Sequence, residues 1–131
     1  MVIRIVNGCF SICKIKDLAG FDPAADGPEA VPYFLARTET ELSLVCRTDR
    51  VPAVTAARQD GWCLLQIEGT MDLSLVGILA GLTEALADAG VAVFAVSTFD
   101  TDYLLVRSDT LGTASAALSA AGHRILGDSA D

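Results

Sequence analysis

Hydrophobic and polar positions in this chain repeat with two different periods, and one stretch anchors the reading. In Gly90 to Arg107, GVAVFAVSTFDTDYLLVR, the apolar runs Val91 to Phe99 and Tyr103 to Val106 flank Asp100, Thr101 and Asp102. Short polar side chains that bond nearby backbone favour a tight turn, so the stretch predicts a buried β-hairpin. Its turn gathers Thr98, Phe99 and two carboxylates on an edge where packing alone gives no reason for so much polarity. Upstream, Leu75, Leu79, Leu82, Leu86 and Ala89 recur at helical spacing. They predict a helix capped at its start by Asp72 or Ser74 and stopped by Gly90. Downstream, Leu111, Ala114, Leu118 and Ala121 predict a second helix, capped by Ser108 or Asp109, ended by Gly122 and followed by a strand over His123 to Leu126.

Before the first helix, Trp62 to Glu68 alternates as a strand, with Gln59, Asp60 and Gly61 as the turn ahead of it. From Trp62 onward the order is therefore β-α-β-β-α-β, an α+β, ferredoxin-like arrangement with two helices on one face of an antiparallel sheet. The first half is poorer in helix. Val2 to Lys16 reads as a strand interrupted at Asn7 and Gly8, and the breaker-rich stretch from Asp17 to Pro32 reads as a loop. Tyr33 to Ala36 and Leu42 to Cys46 form a second hairpin around a polar turn, and Pro52 limits Asp49 to Ala57 to a short helix. This half fits a degenerate copy of the same unit, at 1–60, ahead of a complete unit at 61–131. No strict sequence repeat accompanies that division.

Composition narrows the chemistry. A chain of 131 residues with 52% hydrophobic content can bury a core of its own. Its 9 basic and 17 acidic residues leave a net charge of -8, which disfavours nucleic acid and anionic membranes as partners. The apolar run Leu73 to Val96 is interrupted by Glu84, Asp88 and Gly90, so a helix followed by a strand explains it better than a membrane span. The beginning MVIRIVNGCF lacks the apolar core and cleavage site of a secretory signal, so a cytoplasmic location is expected.

Cys9, Cys13, Cys46 and Cys63 show no metal-ligand or redox-dithiol spacing and read as buried small hydrophobes. His123, the single histidine, has no clustered partners. With no phosphate-binding glycine loop and no nucleophile elbow either, the expectation is a protein that is not an enzyme and uses no metal and no cofactor.

In the second half, Val76-Gly77-Ile78-Leu79-Ala80 and Leu82 to Val91 resemble the ACT domain, the small-molecule-sensing module of amino-acid metabolism. ACT domains commonly carry a proline before that glycine, where Val76 stands here. Glu41 to Val45 together with Val96 to Val106 resemble, more narrowly, small bacterial tandem ACT-domain proteins related to the aspartokinase regulatory region and to the cytosolic arginine sensor of animals. The resemblance implies two ACT-like units in tandem with a small ligand, an amino acid, held at their interface. It also implies regulation without catalysis, and a homodimer. It further implies ligand contacts from Thr98, Phe99 and Asp102, from Gly77, and from Ser43 and Leu44 of the preceding unit. Asp102 would take an ammonium, and the free amides of the helix start a carboxylate.

Each of these residues has a plainer reading beside the functional one. Asp100 and Asp102 suit a hairpin turn, Gly77 a helix-packing contact, Thr98 a strand and Phe99 the core, while Asp72 reads more readily as a cap than as a ligand contact. A structural or protein-partner-binding module with no small ligand is the competing function.

Overall fold

The computed structural model describes residues 1–24, 31–68 and 77–127, and the chain forms two compact units. One comprises Met1–Gly8 with Cys63–Asp131, the other Cys9–Trp62. Eight strands, β1 (Val2–Ile5), β2 (Phe10–Ile15), β3 (Phe34–Arg37), β4 (Leu42–Arg47), β5 (Ala57–Ile67), β6 (Val93–Ser97), β7 (Asp102–Arg107) and β8 (Arg124–Leu126), are joined by helices α1 (Ile78–Asp88) and α2 (Leu111–Ala120). Strand β5 gives its first half to the N-terminal unit and its second half to the C-terminal one.

The C-terminal unit has the predicted β-α-β-β-α-β order, and its strands lie in the sequence β6-β7-β5-β1-β8. Ile3, Ile5, Leu65, Ile67, Leu104 and Val106 alternate onto one sheet face and are covered by Leu82 and Leu86 of α1 and Leu111, Ala114 and Leu118 of α2. Both helices end as the sequence predicts. Gly90 and Gly122 have φ of 75° and 97°, and the amides that follow, Val91 N and His123 N, donate back to Leu86 O and Leu118 O at 2.9 and 3.1 Å. A residue with a Cβ pays a steric cost at such a φ, which is why glycine ends both helices.

Strand β1 departs from expectation. The interrupted first strand is two strands, and the first of them joins the other unit. It lies between β5, to which it is antiparallel with Ile3 opposite Ile67, and β8, to which it is parallel with Ile3 opposite Ile125. Asn7 and Gly8 thus separate two elements that pair with different halves of β5 and belong to different units, whereas a division at residue 60 keeps them together. β5 also starts earlier than predicted. The residues read as a turn, Gln59, Asp60 and Gly61, are strand, because Gly61 (φ 82°) accommodates a bulge. The pairing shifts there from Phe10 opposite Trp62 to Ile12 opposite Gln59, so an extra residue is absorbed without breaking the strand.

The N-terminal unit keeps the four strands in the order β3-β4-β2-β5 and lacks both helices among its described residues. A 3-10 turn, Thr48–Arg50, stands where the second helix would be. Phe21, from the segment between β2 and β3, covers the face formed by Cys13, Ile15, Leu42, Leu44 and Cys46. Its ring meets Tyr33 edge-on at 5.1 Å and lies 5.5 Å below the Arg50 guanidinium, which also donates to Asp22 O at 2.9 Å. One pinned aromatic thus does part of the covering that a helix performs in the other unit.

Candidate functional site

The β6–β7 hairpin is built by two apolar strands and a turn whose polar groups bond one another. Thr98 N and Thr98 Oγ1 both donate to Thr101 O, at 2.8 and 3.0 Å. Thr101 Oγ1 donates to Ile67 O and ties the turn to β5. Asp100 is an exposed residue of this turn. Asp102, read as a turn-edge residue, instead opens β7 opposite Ser97 and is buried, because the strand begins one residue earlier than its apolar run. Ser97 Oγ donates to Asp102 Oδ1 at 2.5 Å. Asp102 is the only charged residue buried among the described residues, and none of the ion pairs there involves it. Burying a carboxylate without a cation is costly in general, and the Ser97 hydroxyl offsets part of that cost here.

Phe99, for which a core role was the plainer reading, is fully exposed at the hairpin tip. The expected buried hairpin is buried along β7 only, since no residue of β6 is fully covered. Gly77 precedes α1 at φ 90°, where nothing stands within 4 Å of an added Cβ. At that φ a residue with a Cβ is strained, so glycine suits the position by its conformation. Among the described residues no side chain caps α1, which begins at Ile78. The predicted caps Asp72 and Ser74 lie outside the described residues, and so does Leu75. At α2 the predicted caps Ser108 and Asp109 fall in a preceding 3-10 turn, and Thr110 Oγ1 donates instead to Arg107 O at 2.9 Å.

Thr98, Phe99 and Asp102 thus share one hairpin, and Gly77 belongs to the same unit, whereas Ser43 and Leu44 belong to the other. Leu44 is fully buried in that unit's apolar cluster, and both residues sit on β4, which pairs with β2 on one side and β3 on the other. Ser43 is half-buried on the opposite face, across from Lys14 and Ala36.

The structure also reveals a repeat that the linear sequence hides. Thr38 to Arg50 (TETELSLVCRTDR) and Thr98 to Thr110 (TFDTDYLLVRSDT) both run from a turn through a six-residue strand into a 3-10 turn, and β4 and β7 share one burial pattern. The first turn repeats the second, with Thr38 N donating to Glu41 O at 2.8 Å. Aligning Phe10–Ile15 with Trp62–Ile67 pairs Ser11 with Cys63, and these make equivalent contacts. Ser11 Oγ meets Thr48 Oγ1 at 2.8 Å, and Cys63 Sγ meets Ser108 Oγ at 3.5 Å. Ser11, fully buried, donates further to Asp60 at 2.6 Å, and this bond, with Arg58 beside it, holds the Asp60 carboxyl below the usual carboxylate range. Identities at Thr38/Thr98, Leu44/Leu104, Arg47/Arg107 and Asp49/Asp109 are too few to show without the strand register.

Of the four cysteines, all free, Cys9 is exposed and Cys63 half-buried, so only Cys13 and Cys46 match the expectation of buried hydrophobes. Burial raises the Cys13 thiol pKa and pushes that of Cys46 up to about 12, so neither is a ready nucleophile at neutral pH. In a titration with a chromogenic disulfide, Cys9 is expected to react first and Cys46 only when denaturant is added. Equal rates would overturn this. Burial, followed by the nearby N-terminal charge, lowers the pKa of His123. Among the described residues no group of three His, Cys, Asp or Glu side chains is placed to hold a metal ion. No helix there is long and apolar enough to cross a membrane.

Comparison with known proteins adds the following. Residues 57–120 match the model of the ACT domain. The crystal structure of protein Atu0741 from Agrobacterium tumefaciens superimposes with a TM-score of 0.83 at 33% identity, covering 97% of this chain and 92% of that one. The ligand-free regulatory subunit of aspartate kinase from Thermus thermophilus matches at 0.63 and 13% identity, over 92% of this chain and 96% of that one. Aspartate kinase from Clostridium acetobutylicum matches at 0.65 and 12%, over 91% of this chain but 34% of the enzyme. No curated protein matches the sequence.

Proposed function

Since residues 57–120 of this chain match the ACT domain, we propose that it is a non-catalytic regulatory protein that binds an amino acid at the β6–β7 hairpin of its C-terminal unit. The observation that carries this reading is Asp102, a buried carboxylate held by Ser97 with no cation paired to it among the described residues. An α-ammonium supplies the missing charge. The start of α1 after Gly77, which no described side chain caps, offers backbone amides to the ligand's carboxylate, favoured by the helix dipole. Thr98 and Phe99 contribute from the turn. The likeness to an aspartate kinase regulatory subunit supports regulation of another protein over chemistry of its own.

A thermal-shift screen against the twenty amino acids tests the proposal. Ligand at a hundred times its dissociation constant adds about 2.7 kcal/mol, enough to raise the melting midpoint by several degrees. Asp102→Asn, which keeps the shape and removes the charge, is expected to abolish that rise while the protein still melts cooperatively. A flat panel, or a rise unaffected by Asp102→Asn, would sink the amino-acid reading. A partner-binding module is the second reading, favoured by the fully exposed Phe99, and sedimentation with and without Phe99→Ser checks whether that ring mediates self-association.

A further inference from the structure

We propose that the turn end of the N-terminal unit is a separate small-molecule site, made for an acidic α-amino acid, a zwitterion carrying a second carboxylate. A recess of about 400 Å³ opens there, lined by Lys14 and Lys16 at the end of β2 and by Arg37, Thr38, Glu39 and Glu41 around the β3–β4 turn. That volume falls within the range of small-ligand sites.

Its charge is unusual for this chain. Three of only 9 basic residues converge on one recess of a protein whose net charge is -8. None of Lys14, Lys16 and Arg37 forms an ion pair among the described residues. Three cations against the two carboxylates of Glu39 and Glu41 leave the recess with a surplus positive charge, which a ligand bringing two carboxylates and one ammonium neutralises. Glu39 and Glu41 on the same rim leave a place for one ammonium. They would repel a compact polyanion such as phosphate, and an amino acid with an uncharged side chain would leave a cation unanswered.

The internal repeat shows one difference between the two turns. In the C-terminal unit Thr101 fastens the turn to the first strand by donating to Ile67 O. Glu41 occupies the position of Thr101, and Ile15 that of Ile67. A carboxylate is an acceptor and cannot donate to a carbonyl, so the Glu41 side chain cannot make the same fastening. Lys14 and Lys16 at the end of β2 and the turn residues line the recess without that bond.

Isothermal titration of the intact protein with L-aspartate and L-glutamate tests the site, with L-alanine, succinate and inorganic phosphate as controls. An acidic amino acid is expected to bind saturably, more weakly as salt is added. The double substitution Lys14→Ala, Lys16→Ala should weaken it by at least about tenfold. Both lysines are exposed, so the circular dichroism spectrum should not change. Asp102→Asn should leave this binding intact, which separates it from the hairpin of the other unit. Absence of saturable heat with both acidic amino acids would overturn the proposal. So would an undiminished affinity in the double variant, or phosphate binding more tightly than aspartate.

Discussion

A chain that begins at Cys9 is expected to lose the fold of its C-terminal unit, although every residue removed lies more than fifty positions before that unit's main segment. The removed strand, β1, sits inside the sheet and pairs with β5 on one side and β8 on the other. Without it Ile3 and Ile5 leave the apolar cluster, and both neighbours expose ladder amides and carbonyls. β8 would lose its only strand partner among the described residues. Two isoleucine side chains contribute roughly 3–6 kcal/mol of burial, against a typical stability of about 5–15 kcal/mol for a whole domain. The expected result is loss of helical circular dichroism, with recovery when a peptide of residues 1–8 is added in excess. A truncated protein that kept its helices and melted cooperatively would show that β1 is dispensable.

The second large effect is expected from Leu104→Ala. Leu104 is fully buried in the middle of β7, within the cluster that joins both helices to the sheet. Removing a buried leucine costs the transfer energy of the lost atoms and that of the cavity left behind, together about 2–5 kcal/mol. The repeat offers a comparison in the same molecule. Leu44, its counterpart, is equally buried but lies in a smaller cluster closed on one side by Phe21 from a loop. A loop relaxes into a void more readily than a packed helix, so Leu44→Ala should cost less. Urea denaturation of the two variants measures both values, and an equal or larger loss for Leu44→Ala would refute the comparison.

The parts of the fold that could be read in advance are those with a strict period and clear stops. Leu82, Leu86, Leu111, Ala114 and Leu118 face inward as their spacing requires, and Gly90 and Gly122 end the helices. What escaped were decisions made between distant segments. Nothing local tells Val2–Ile5 to pair with β8, because four alternating residues suit any sheet edge. Gly61 looks like a turn glycine, and only the register of β2 against β5 makes it a bulge. Among the candidate residues, Asp102 was identified by its type, but its burial was not, since the apolar run begins at Tyr103 while the strand begins one residue sooner. The basic recess was missed altogether, for Lys14, Lys16 and Arg37 are scattered in sequence and meet only when β4 lies between β2 and β3. The Thr38-x-x-Glu41 and Thr98-x-x-Thr101 spacing was the available clue.

The matching contacts Ser11 to Thr48 and Cys63 to Ser108 have a historical consequence. A hydroxyl pair and a thiol–hydroxyl pair at the same place in two units are what descent from one ancestral half-protein leaves behind, once the copies drift apart. The C-terminal copy carries two helices over its sheet and the N-terminal copy carries none among the described residues, while the strand-to-turn joint is present in both.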